Sequence, residues 1–194
     1  MKEFNLVSEN PESTVVGEYT AYATRGKTYQ SEAELERAFI RLLQQQAYEY
    51  LTLHTEKDLV DNLRKQLELL NDVTFTDDEW KRFFETKIAN QNNGIVEKTA
   101  IIQEDYIQLL ERDDGTVKNI RLIDKDNIHN NRLQVINQYE TDTGPRASRY
   151  DVTILVNGLP LVHVELKRRG VQLQEAFNQI NRYQRESFWS GSGL

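Results

Sequence analysis

An Asn-Gly pair at positions 157 and 158, set between two alternating apolar runs, constrains this chain more than any other feature. The stretch from Tyr150 to Lys167 reads as two strands of a β-hairpin turning at that pair. On the first strand Val152, Ile154 and Val156 share a face, and on the second Val162, Val164 and Leu166 do so. The opposite face carries Asp151, Thr153 and Leu155, then Leu161, His163, Glu165 and Lys167.

The alternation predicts a register. If both apolar sets share a core, odd positions must face odd positions, and a strict two-residue loop would pair odd with even. We therefore expect a three-residue connection or a bulge, with Val156 near Pro160 and Asp151 opposite Glu165. Two carboxylates and the Lys167 ammonium then meet at one end of the hairpin.

The remaining chain supplies helices and further strands. Residues 1–28 read as a polar, irregular arm with at most a short strand near Val15-Val16, and 29–194 as one domain. Ser31 and Glu34 form a capping box opening a helix through about Tyr50, in which Glu32 and Glu36 share a stripe with Phe39. Either glutamate could point back toward a site; a solvated acidic first turn, favoured by the helix dipole, is the plainer reading. Leu59 to Leu70 forms a second helix, broken at Asn71-Asp72, and Thr76 with Glu79 caps a third through Ile88. The aromatics Trp80, Phe83 and Phe84 read as core rather than base-stacking platforms. Strands are expected over Ile101 to Leu110, Val117 to Ile123 and Leu133 to Tyr139. A last helix carries Leu173, Phe177 and Ile180, and presents Gln179 and Tyr183 one turn apart.

Composition excludes several functions. The chain of 194 residues contains no cysteine, which rules out disulfides, zinc thiolates and thiol catalysis. No apolar run reaches membrane-spanning length and no signal peptide is visible, so a cytoplasmic protein without membrane contact is expected. A net charge of −7 argues against a basic nucleic-acid coat, although not against a nuclease whose metal-binding carboxylates enter that sum. Ala21 followed by Gly26-Lys27-Thr28 fits a relaxed phosphate-loop pattern, but it lacks the preceding apolar strand and following helix that ATP binding requires.

Hydrolysis of a phosphodiester needs a cation that neutralises the phosphoryl oxygens and acidifies water. Mg2+ takes oxygen ligands and keeps several waters, so Asp151, Glu165 and the Leu166 backbone carbonyl would suffice, with Mn2+ able to substitute. Lys167 would face the same pocket and steady developing negative charge. Alone, an Asp followed by Glu-x-Lys reads more readily as a strand-end salt bridge; the register is what places the trio together. His163 shares the face, but a lone strand histidine more often packs than ligates.

Asp151, Glu165-Leu166-Lys167 and the later Gln179-x-x-x-Tyr183 resemble the PD-(D/E)xK nuclease superfamily, in the branch carrying a QxxxY motif. Tyr29-Gln-Ser-Glu-x-x-Leu-Glu36, the segment from Tyr150 to Val162, and Glu175 through Tyr183 are similar to the N-terminal region of the R (HsdR) subunit of type I restriction enzymes. That resemblance covers nearly the whole chain. Tyr150 stands where the superfamily has its proline.

The resemblance implies an α/β (α+β mixed) fold, a central mixed sheet flanked by helices in a restriction-endonuclease-like core. It assigns Asp151 and Glu165 to Mg2+, Lys167 to catalysis, and Gln179 and Tyr183 to DNA or site support. Arg168 and Arg182, with Arg169 and Arg185, become candidates for phosphate contacts, with solvated helix surface an equal alternative for each. The activity implied is a type I site-specific deoxyribonuclease that cuts double-stranded DNA non-specifically, in company with specificity and methylation subunits. ATP would serve only the full-length subunit, since no motor motif lies in these residues and the chain reads as an N-terminal fragment. The competing reading is a non-catalytic docking module in which the charged trio is a structural ion pair.

Overall fold

A computed structural model describes residues 4–9, 15–19, 31–141, 148–167 and 177–178, with side chains described at 31–138, 151–167 and 177–178. It divides into two compact units, Met1–Gln30 and Ser31–Leu194. In the first, β1 (Phe4–Glu9) pairs antiparallel with β2 (Val15–Tyr19), so the expected irregular arm contains a hairpin.

The second unit is built around a four-stranded sheet in the order β3-β6-β7-β8. Its strands are β3 (Glu49–Tyr50), β6 (Leu133–Thr141), β7 (Ser148–Val156) and β8 (Leu159–Val164). β3 runs parallel to β6 and the other pairings are antiparallel, which makes the sheet mixed. Helices cover both faces. The adjacent residues Val135 and Ile136 point to opposite sides and are both fully buried. Val135 packs with Val152 and with Ile40 and Leu43 of α1 (Glu32–Gln45). Ile136 packs with Leu155 and with Leu59 of α2 (Glu56–Asn71). A sheet buried on both faces accounts for Leu155 and Thr153, on the hairpin's nominally polar face, being buried.

Sequence signals position these helices. Ser31 Oγ accepts the Glu34 N–H at 3.2 Å and the Glu34 carboxylate accepts the Ser31 N–H at 2.8 Å, completing the expected box. Thr55 and Asp58 form a second box, which starts α2 three residues before its first periodic leucine. The helix stops at Asp72, which adopts the left-handed conformation with φ 47°.

Between β3 and β6 the chain builds a separate apolar cluster. Leu63 and Leu67 of α2 meet Phe75, Trp80 and Phe83 there, together with Leu110, Ile120 and Leu122. Phe75 and Trp80 pack edge to face with ring centres 5.3 Å apart, so the aromatics are core as expected. Glu79 caps α3 (Asp77–Phe83), is 1% exposed, and also binds Arg112 Nε at 2.8 Å and the Asp113 N–H at 2.9 Å. The helix ends in one π-turn, Phe84–Ile88. The expected strand over Ile101 to Leu110 is corrected: Gly94 opens α4 (Ile95–Gln103), and β4 (Ile107–Glu111) follows it, paired with β5 (Val117–Arg121). Ile101 and Ile102 are β-branched residues that pack on the cluster from a helix, and tertiary burial overrides their strand preference.

The β7–β8 turn also differs from expectation. Asn157 (φ 52°) and Gly158 (φ 83°) form a two-residue turn of the I′ kind, and Val156 pairs with Leu159 rather than standing near Pro160. The parity is corrected two residues later by a bulge. Leu155 pairs with Pro160 and Ile154 with Val162, which leaves Leu161 as the extra residue. Thr153 then faces His163 and Val152 faces Val164, the odd-to-odd register that the alternation requires.

Candidate functional site

The register brings Asp151, Glu165, Leu166 and Lys167 together at the open end of the β7–β8 hairpin. Pairing is recorded as far as Val152 with Val164, one position short of Asp151 and Glu165. Side chains continue it. The Asp151 carboxylate accepts the Leu166 N–H at 2.8 Å, tying the residue after Glu165 back to β7. Lys167 Nζ lies 2.5 Å from Glu165 Oε1. The Glu165 side chain is 4% exposed and that of Lys167 is 21% exposed, so the pair stands at the edge of the interior.

The electrostatics follow from that placement. Burial pushes the Glu165 carboxyl up to about 7; Asp151 pushes it the same way, and the Lys167 contact offsets this only in part. Burial pulls the Lys167 ammonium down, but the Glu165 contact and the charges of Asp151 and Glu32 outweigh it and leave its pKa raised. Near neutral pH the site therefore holds one firmly protonated lysine beside two carboxyls, one poised to take a proton. Such a pair gains from any cation that reaches it. Its donors are oxygens alone, the chemistry that Mg2+ and Mn2+ prefer over softer metals. Among the described residues no group of three or more His, Asp or Glu side chains could hold a metal ion. What the described residues bring together there is two carboxyls, Asp151 and Glu165, with Lys167 against the second.

The two glutamates of α1 separate. Glu32 is exposed in the first turn, and its charge acts on Lys167. Glu36 is 7% exposed and turns to β6, accepting Asn137 Nδ2 at 2.5 Å and the Gln138 amide as well. His163 is half-buried; its Nδ1 lies 2.9 Å from Thr153 Oγ1, and desolvation lowers its pKa to about 4. Its lowered pKa keeps the ring neutral near pH 7, bonded to Thr153. Arg168, Arg169, Gln179, Arg182, Tyr183 and Arg185, like the Gly26-Lys27-Thr28 segment, lie outside the described residues. Phe177 and Asn178, on the expected last helix, are helical.

Sequence reasoning missed Gln138. It has φ 56°, unusual for glutamine, and stands between the pairs Asn137–Val152 and Tyr139–Tyr150, across from Asp151. Nothing in an alternating strand announces such a reversal.

Comparison with known proteins agrees with the architecture. The family described as "Type I restriction enzyme R protein N terminus (HSDR_N)" matches residues 29–194. The EcoprrI endonuclease subunit of Escherichia coli, a type I restriction enzyme, is 48% identical over 189 residues, covering 97% of this chain and 60% of the relative. The SsaAORF53P endonuclease subunit of Staphylococcus saprophyticus is 39% identical over 165 residues, 82% of this chain and 17% of the relative. A putative relative from Methanocaldococcus jannaschii, the MjaVIIIP endonuclease subunit, is 32% identical over 135 residues, 64% of this chain and 13% of its own length. The chain thus spans less than two thirds of these relatives. With a mixed sheet between helices and a match over most of its length, the chain belongs to the family of type I restriction enzyme R proteins, in their N-terminal region.

Proposed function

We propose that this chain is the Mg2+-dependent nuclease domain of a type I restriction subunit, hydrolysing phosphodiester bonds of double-stranded DNA. The observation that carries the reading is the junction of Asp151, Glu165 and Lys167, where one carboxyl is pushed up to about 7 by burial and by its neighbour. Asp151, Glu165 and the Leu166 carbonyl would hold the cation, which when bound supplies charge neutralisation and a more acidic water. The protein's own groups do the rest. Asp151 fixes the strand end through the Leu166 amide, so the two carboxylates keep their spacing. Lys167 stays protonated and can give a hydrogen bond from Nζ to a phosphoryl oxygen or an attacking water. Glu165 can hold a proton at its carboxyl until a cation displaces it.

The wider role is proposed from the relatives, each named an endonuclease subunit of a type I restriction enzyme. Specificity and methylation subunits would choose and protect DNA sites, and ATP would act through regions beyond this match, in the cytoplasm. Among the described residues no helix is long and apolar enough to cross a membrane. The second reading, a docking module, rests on the Glu165–Lys167 ion pair as a structural contact. Replacing Asp151 or Lys167 by Ala in a complete restriction complex separates the two. The nuclease reading expects loss of cleavage with translocation intact; cleavage that survives sinks it.

A further inference from the structure

Glu36 is a buried carboxylate on α1 whose two oxygens both serve β6. One accepts Asn137 Nδ2 at 2.5 Å and the other accepts Gln138 Nε2. Asn137 is tied in turn by the Tyr50 hydroxyl, which donates to its Oδ1 at 2.7 Å. In a regular strand, neighbours such as Asn137 and Gln138 project to opposite faces. Asn137 pairs with Val152, which packs against Ile40 and Leu43 of α1, so the α1 face is its ordinary side. Gln138 should therefore project to the other face, where strand alternation also places Asp151, Thr153 and Leu155. Directly opposed residues of an antiparallel pair share a face, so Gln138 would stand beside Asp151.

It does not. With φ 56° its side chain is turned across the sheet onto Glu36. The other end of that amide, Oε1, is buried and has no hydrogen-bond partner among the described residues. The Glu36 bond is accordingly what offsets both a disfavoured backbone conformation and an unpaired acceptor.

We infer that Glu36 is a positioning residue for the Asp151 site: it holds the Gln138 side chain against α1 and so keeps it out of the space beside the Asp151 carboxylate. The inference deepens the nuclease reading and rests on it, since the ligand that gains from the cleared space is the divalent cation. A residue that merely docks α1 on the sheet would behave differently. Its loss would not be repaired by deleting the Gln138 side chain.

The test titrates Mn2+ alone into this chain, following free Mn2+ by electron paramagnetic resonance, with circular dichroism to confirm folding. Glu36→Ala is expected to weaken binding by about tenfold, the lower end of what lost support around a metal site costs. Glu36→Ala combined with Gln138→Gly should recover to within about threefold of the original chain, because glycine adopts positive φ freely and has nothing to swing inward. If Glu36→Ala does not fold, Glu36→Gln, which keeps one acceptor oxygen, replaces it in both arms. Binding unchanged in the Glu36 variant, or unrepaired by Gln138→Gly, overturns the inference while the nuclease reading stands. Absence of any Mn2+ site that Asp151→Ala removes overturns both.

Discussion

The Asp151 carboxylate accepts the main-chain N–H of Leu166 at 2.8 Å, so one charged side chain on β7 holds the segment carrying Glu165 and Lys167. Two roles meet in that carboxylate, and two substitutions part them. Asp151→Asn keeps an oxygen that can accept the amide and removes the charge; Asp151→Ala removes both. Leaving the Leu166 amide without its acceptor costs about 1–3 kcal/mol. Denaturant unfolding should place Asp151→Asn within about 1 kcal/mol of the original chain and Asp151→Ala below it. Both should lose Mn2+ binding. An Asp151→Asn chain that binds Mn2+ normally would remove Asp151 from the proposed ligands.

Glu165 makes a prediction in pH. Its carboxyl is raised from 4.5 to about 7 in the folded chain, chiefly by burial, so the folded state binds that proton more tightly than the unfolded state does. Stability from this group is then fully present below about pH 4.5 and is lost as pH rises through about 7. His163, lowered to about 4, tilts the other way at acid pH, so the total curve mixes the two. The difference between the original chain and Glu165→Gln cancels His163. Relative to the original, Glu165→Gln should gain stability from pH 5 to about pH 7 and level off above it in metal-free buffer, and Mg2+ should reduce that gain. A difference that is flat with pH would mean that Glu165 titrates as an ordinary carboxyl.

These residues were legible in the sequence for a physical reason. Alternation with period two and a need for one register are local properties, and together they place Asp151, Glu165 and Lys167 at one end of the hairpin. The capping boxes at Ser31 and Thr76 were legible likewise, because donor and acceptor lie three residues apart. What escaped depends on the other side of a contact. Val156 pairs with Leu159 because the Asn-Gly turn keeps its preferred form and the parity is absorbed at Leu161. Ile101 and Ile102 lie on a helix because, partly buried, they pack against the cluster around Trp80. The reversal at Gln138 exists because Glu36, 102 residues away, accepts its amide.

The Asn157-Gly158 turn is buried, unlike most hairpin turns, and its sequence answers to α2. A Cβ on Gly158 would stand 2.6 Å from Leu63 Cα, and its φ of 83° disfavours any side chain. Asn157 is 1% exposed; its amide donates to the Leu122 carbonyl at 3.0 Å and to Asn131 Oδ1 at 2.8 Å, and its Oδ1 accepts the Arg132 N–H at 2.8 Å. Gly158→Ala meets main chain rather than a flexible side-chain end, so it should cost at least about 2 kcal/mol, at the upper part of the range for strain and overpacking. Asn157→Ala should cost a similar amount through unpaired buried groups. Thermal unfolding checks both. A Gly158→Ala chain as stable as the original would mean that α2 can withdraw from the turn.

Lys167 decides between catalysis and scaffold. Its ammonium is bonded to Glu165, and its raised pKa keeps it charged near neutrality. As a structural ion pair, its loss would strand a buried carboxylate, lower stability and leave no separate mark on chemistry. As a catalytic group, its loss would free Glu165 for the cation while removing the charge that steadies the phosphoryl oxygens. Lys167→Met, of similar length and uncharged, is therefore expected to bind Mn2+ at least as well as the original chain. In a complete restriction complex the same substitution should slow cleavage at least about a hundredfold, the loss typical of one preorganised donor. The Mn2+ titration and plasmid linearisation read the two effects independently. Retained cleavage with lowered stability would favour the docking reading over the nuclease.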